Sequence, residues 1–270
     1  MDTGNTNYRV INLIRNSGIE KDKGIYEGLR KFFEEDPDSH AFAPYLKNIY
    51  ERHNGKTYTF SDHLKGLIYA QLSSQTKWIN IEPHLDVIDA LFFQYDRKKI
   101  LSQPASYFTD AILNLKCGNI NTKQQMESLP YNIGVFEQIG REYGNIDLYL
   151  NRYKAEEIAM ELSEGRYKMK YIGYVLAFEY LRNVGVDAVI PDGSKRRMLG
   201  AERLGYSRSP VASDKDVVSA VALLSRSNND AMLAQIDALL SYFCSAGYGK
   251  ICTAEPDCDV CPIRKYCNRK

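Results

Sequence analysis

Four cysteines crowd the C-terminal end of the chain: Cys252, Cys258, Cys261 and Cys267, with five, two and five residues between them. Thiolates packed this densely, in a chain whose opening MDTGNTNYRV holds no apolar leader region, predict a metal loop rather than a disulfide framework. Two metal species take four thiolates. A structural zinc ion draws its ligands from two tight knuckles that close a tetrahedron. Here there is one tight pair, Cys258 and Cys261, with an outlying cysteine on each side, and that wider spread suits the corners of a 4Fe-4S cubane. Cys117 and Cys244 lie outside the pattern and read as buried, inert thiols.

Composition sets limits on the partners. At 270 residues, 44% hydrophobic and 26% charged, the chain has the make-up of an ordinary globular protein. A net charge of +1 does not announce nucleic acid, so any surface for it must come from uneven placement of the 35 basic side chains. The longest strongly apolar stretch, near Val217 to Leu224, is too short to cross a bilayer, and a cytosolic location without membrane contact is expected. Twenty tyrosines read as packing residues.

The elements that must position these groups are helical. Phe60, Leu64, Leu67, Ile68 and Leu72 share one face behind the capping candidates Thr59 and Ser61, and Leu85, Ile88, Leu91, Phe92 and Tyr95 repeat the arrangement. Ser213 with Asp216 has the capping-box form ahead of Val217, Val221 and Leu224, and Asn229 is expected to cap a helix through Met232, Ile236, Leu239 and Phe243. Residues 172 to 181 are apolar on nearly all sides, which predicts a helix buried in a bundle. No run alternates with period two, and no internal repeat is present.

Three segments in this order resemble the endonuclease III superfamily of helix-hairpin-helix base-excision DNA glycosylases. The match covers roughly residues 60 to 267 and is strongest in CTAEPDCDVCPIRKYC, although the family commonly has six residues in the first gap where this chain has five. The resemblance implies a 4Fe-4S cluster on Cys252, Cys258, Cys261 and Cys267. In LIYAQLSSQTKW it implies that Gln75 fills the hole left by a flipped nucleotide; otherwise Gln75 is an exposed residue at a helix end. In MKYIGYVLAFEYLRNVGVDAVIPDGSKRRML it implies that Met169 to Gly173 is the hairpin turn, and that free N–H groups beside Gly173 bind a DNA phosphate. The family has a further glycine where this chain has Tyr171.

Bifunctional members of the family place a Schiff-base lysine two positions after the last hairpin glycine. That position is Val175, so a monofunctional enzyme using water is implied, with Lys168 and Lys170 nearby as the remaining route to lyase chemistry. Seventeen residues further on, Asp192 stands where the family has its catalytic aspartate, to stabilise positive charge on the sugar and orient or deprotonate water. Read on its own, Asp192 in Pro191-Asp192-Gly193-Ser194 is a good N-cap for a helix through Met198 and Leu199, and the two roles are compatible. Lys195, Arg196 and Arg197 follow as candidate phosphate contacts, with Arg203, Arg208, Arg264 and Lys265 beyond them; such a run is also simply a solvated face. Tyr69 and Trp78 are candidates for the wall of the base pocket, and Ala70, where adenine-specific members have a glutamate, argues against that specificity.

The expectation is therefore an all-α, two-lobed protein. Residues 62–185 would form a helical barrel domain ending in the hairpin, and residues 1–61 plus 186–270 an iron-sulfur domain. Double-stranded DNA carrying a damaged or mismatched base would bind the cleft between them, and the protein would act as a monomer. A bifunctional glycosylase and lyase, or a non-catalytic DNA-binding protein of the same fold, are the alternatives.

Overall fold

A computed structural model of the chain describes residues 4–37, 39 and 44–269, and among these no strand forms. The chain divides into two compact units, residues 47–188 and residues 1–46 with 189–270. In chain order the helices are α1 (Gly4–Glu35), α2 (Pro44–His53), α3 (Phe60–Ser73), α4 (Trp78–Ile81), α5 (Leu85–Leu91), α6 (Arg97–Leu101) and α7 (Ala105–Asn114). There follow α8 (Thr122–Tyr143), α9 (Ile146–Leu150), α10 (Ala155–Ser163), α11 (Tyr174–Asn183), α12 (Gly193–Leu199), α13 (Asp214–Ser227) and α14 (Leu233–Cys244).

In the 47–188 unit, α3 is the axis of the packing. Thr59 and Asp62 close a reciprocal capping box at its start, and Leu64, Leu67, Ile68 and Leu72 are fully buried. It packs against α8 and α11, and α11 in turn against α10. Gly66 permits the α3–α11 approach: a Cβ there would stand 2.8 Å from Val184 Cγ1, and its carbonyl accepts from Asn183 Nδ2 at 3.1 Å. Residues 47–61, read from the sequence as part of the N-terminal segment, pack with this unit. Arg52 donates to Asp147 Oδ1 at 2.6 Å and to the Val184 carbonyl at 2.8 Å.

Two local expectations are corrected. The helix expected through Tyr95 stops at Leu91, because Phe93, Gln94 and Tyr95 all take positive φ. That break turns Tyr95 inward, where its hydroxyl and that of Tyr69 each donate to Asp89 Oδ1 at 2.6 Å. Asn229 is not the cap of α14; with φ of 57° it lies in a left-handed turn, and the helix begins at Leu233.

In the second unit, α1, α12, α13 and α14 surround a core of Ile25, Leu29, Val217, Val221, Leu240 and Phe243. Ser213 and Asp216 form the expected capping box of α13. Among the described residues no helix is long and apolar enough to cross a membrane.

Candidate functional site

The last turn of α3 delivers Gln75 just beyond the helix end. Gln75 is exposed, with φ of 57°, a left-handed conformation that costs a non-glycine residue about 1–2 kcal/mol. Beside it Asn119 Nδ2 donates to the Ser74 carbonyl at 2.8 Å, fastening the loop that carries Ile120. Ile120 is 83% exposed, a position the sequence reading passed over, and an apolar side chain there has the chemistry to enter an opened base stack. The available signal was one apolar residue framed by the turn formers Gly118, Asn119 and Asn121.

The second turn, Met169–Gly173, joins α10 to α11. Tyr171 has φ of 58°, so the backbone takes the left-handed form favoured by glycine although a tyrosine occupies it. Gly173 is the exposed N-cap of α11, and nothing lies within 4 Å of the place its Cβ would occupy. With φ of −86°, neither conformation nor internal packing requires a glycine there. What the missing side chain provides is open access to the N–H groups of the first turn of α11. Val175 lies half-buried in that same turn. Lys168 and Lys170 are exposed, with Lys170 Nζ 4.6 Å from the ring centre of Tyr131.

In the other unit Asp192 is the N-cap of α12, its Oδ1 accepting from Ser194 N at 2.8 Å and Lys195 N at 3.1 Å. Its side chain is 38% exposed and lines a cavity of about 650 Å³ together with Ser194, Arg197, Cys244, Thr253 and Glu255. Lys195, expected at a phosphate, is instead internal. Its Nζ lies 2.5 Å from Asp192 Oδ2, 3.0 Å from the Ile190 carbonyl and 3.0 Å from Asp237 Oδ1, with 1% of the side chain exposed. Asp237 is itself buried and accepts from Ile190 N at 3.0 Å. Burial works to raise the Asp192 carboxyl, but the Lys195 ammonium and the hydrogen bonds of Ser194 and Lys195 outweigh it and hold the group down at about 2. Burial likewise works to lower Lys195, and the two carboxylates overcome it, keeping the ammonium charged well above its ordinary range.

The rest of the basic run divides. Arg196 is half-buried, donating to the Ala212 carbonyl at 2.7 Å and lying 3.5 Å from Asp214. Arg197 donates from Nη1 to the Gly193 carbonyl at 3.1 Å, and its Nε has no partner among the described residues. Tyr69 and Trp78 meet edge to face at 5.7 Å, and Tyr69 is 9% exposed with its hydroxyl committed to Asp89, so it belongs to the core.

The cysteine loop rests on the core of the second unit through Cys252, Cys261 and Cys267. Arg203, another residue of the expected phosphate-binding run, is buried beneath it. Its Nη1 lies 3.0 Å from Cys252 Sγ and donates to the carbonyls of Cys252 and Thr253 at 3.2 Å and 3.0 Å. The Cys252 thiol is brought down to about 6 by its contact with Cys244 and, against the effect of burial, by Arg203. Burial pushes Cys261 up to about 11, with the charges of Cys252, Cys267 and Cys258 adding to it. Among the described residues no three of His, Cys, Asp or Glu are disposed to hold a single metal ion. A cubane, which gives each thiolate its own iron, asks for a looser set.

No family profile matches the chain, and no curated protein is significantly similar to it in sequence. In three dimensions it is similar to the 8-oxoguanine glycosylase/lyase of Methanocaldococcus jannaschii, solved in complex with a 15mer DNA containing 8-oxoguanine. The TM-score is 0.54 at 17% identity, covering 82% of this chain and 95% of that one. The described residues form helices and no strand, and they share the fold of that DNA glycosylase/lyase.

Proposed function

We propose that the protein is a DNA glycosylase of base-excision repair, which flips a damaged or mismatched base out of the duplex and hydrolyses its N-glycosidic bond. The observation that carries this is Asp192: a carboxylate locked in its ionised form, at the rim of a cavity, in a fold shared with a DNA glycosylase/lyase. As the base departs, positive charge builds on the deoxyribose, and a fixed carboxylate held in partly desolvated surroundings lowers that barrier. A group with a pKa of about 2 is a weak base, so Asp192 acts by its charge and by orienting water more than by removing a proton.

Water, not an amine, is the nucleophile. Val175 offers no nucleophilic atom, and Lys195 is buried and held protonated between two carboxylates. In this reading the hairpin amides around Gly173 and the guanidinium of Arg197 bind phosphates, while Gln75 and Ile120 enter the emptied stack. Cys252, Cys258, Cys261 and Cys267 would hold a 4Fe-4S cluster that fastens the tail, with the buried Arg203 cation offsetting the thiolate charge; iron and sulfide analysis of anaerobically purified protein tests this, and zinc would refute it.

The direct test is base release from a panel of damaged and mismatched duplexes headed by 8-oxoguanine, the lesion in the neighbour's complex. Release that requires alkali for strand cleavage is the expected result. The neighbour's description as a lyase keeps one rival in play, and borohydride trapping of a protein–DNA adduct would establish it.

A further inference from the structure

Helix α8 carries a polar stripe on a buried face. Gln125, Ser128 and Asn132 stand at i, i+3 and i+7, and with Gln71 of α3 they are at most 3% exposed. Buried amides and hydroxyls in a helix core need partners, and here, except at Gln71 Oε1, they find them in a continuous ladder. Asn132 clamps the hairpin, its Oδ1 accepting from Lys170 N at 2.8 Å and its Nδ2 donating to the Lys170 carbonyl at 3.0 Å. Ser128 Oγ accepts from Asn132 Nδ2 and from Gln71 Nε2, each at 3.4 Å, and donates to the Gln125 carbonyl at 2.7 Å. Gln125 Nε2 donates to the Gln71 carbonyl at 3.0 Å, and its Oε1 accepts from Asn119 Nδ2, which also donates to the Ser74 carbonyl.

One end of the ladder therefore grips the residue before Tyr171, and the other grips the residue before Gln75. These two are the left-handed, non-glycine positions of the two turns. Backbone of that kind persists only where its surroundings over-determine it, and the ladder supplies that determination at both places. We propose that Asn132, Ser128, Gln125 and Gln71 are positioning residues that fix the Gln75 turn and the hairpin in one register, so that gripping a phosphate and filling the base hole occur together on the duplex. This rests on the proposed glycosylase reading and deepens it: the two DNA-facing turns are mechanically one part. An apolar helix face would pack as well, but would leave each turn free to settle alone.

The test uses the full chain and two duplexes, one carrying a tetrahydrofuran abasic analogue opposite 2-aminopurine and one intact. Asn132→Leu is expected to lose about tenfold in affinity for the abasic duplex and clearly less for the intact one, which engages the hairpin alone. Combined with Gln75→Ala, the double variant is expected to lose clearly less than the product of the two single losses, with the 2-aminopurine signal already diminished in Asn132→Leu alone. Multiplicative losses would overturn the proposal, since uncoupled sites behave that way. Amide hydrogen exchange in the free protein is the second readout: exchange at Ser74 and Thr76 is expected to quicken in Asn132→Leu, and unchanged rates there also overturn it. Should wild type fail to prefer the abasic duplex, the glycosylase reading falls while the exchange measurement still decides the ladder. If Asn132→Leu does not fold, Ser128→Ala, which removes a single hydroxyl, is read in the same way.

Discussion

Asp192 and Lys195 depend on each other, and the consequence is a particular pH behaviour. The folded-state pKa of Asp192 lies below that of the unfolded chain, so its contribution to stability is complete above the ordinary carboxylate range of about 4 and is lost as the pH falls through about 2. The rate of base release is accordingly expected to show no acid limb from Asp192 at any pH where the protein is folded. Lys195→Met should bring that limb up into the ordinary carboxylate range or above, since burial then acts on Asp192 without its cation. The same change also takes Lys195 from the buried Asp237, and breaking a buried ion pair costs about 3–5 kcal/mol, so thermal unfolding should fall together with the altered pH profile. Asp192→Asn keeps the cap geometry and removes the charge; base release is expected to drop by roughly 10²–10³-fold with little change in DNA affinity, as measured by single-turnover excision beside binding. Persistent release in that variant would remove Asp192 from the chemistry.

At the scale of the element, the hairpin is where the chain departs most from its resemblance and where two substitutions separate conformation from function. Tyr171→Gly relieves a left-handed tyrosine but adds unfolded-state entropy, so the opposing terms of about 1 kcal/mol nearly cancel and stability should change little. Gly173→Ala meets no atom within the protein and should cost about 1 kcal/mol or less, yet it sets a methyl group in the path to the α11 amides. Its affinity for duplex DNA is therefore expected to fall about tenfold in a titration at fixed salt, and unaltered binding would refute a phosphate at this turn. Legibility in the sequence followed the range of the interactions. The capping box at Ser213, the cap at Thr59 and the N-cap at Asp192 are settled within four residues, and each is legible in the sequence, although the box that Asp62 closes on Thr59 is seen only in the structure. The break after Leu91 was not, because the bonds from Tyr69 and Tyr95 to Asp89 decide it across two helices. Lys195 looked like a surface charge in a basic run because its second carboxylate, Asp237, arrives from α14. The stripe on α8 is silent in the sequence for the same reason: polar residues at helical spacing fit a solvated face as well, until the helix is seen to be covered.

For the molecule as a whole, a net charge of +1 leaves little long-range attraction, so any grip on DNA must come from a few local contacts. With Lys195 and Arg203 both buried in internal networks, the basic run after Asp192 contributes far fewer free cations than its composition promises. Each neutralised phosphate adds about −0.9 to the slope of log K against log salt. Contacts from Arg197 and from the α11 amides, which carry only the partial charge of a helix end, therefore lead to a shallow slope of roughly −1 to −2, well short of a protein that coats the backbone with lysine. Because Arg196 is already bound to the Ala212 carbonyl and near Asp214 while Arg197 lines the cavity beside Asp192, the two should separate in the measurement. Arg197→Ala is expected to flatten the slope by about one and to weaken binding equally for lesion and intact duplexes, whereas Arg196→Ala should act chiefly on thermal stability. A slope much steeper than this, or one untouched by Arg197→Ala, would mean that the chain meets DNA through a surface other than the one Asp192 borders.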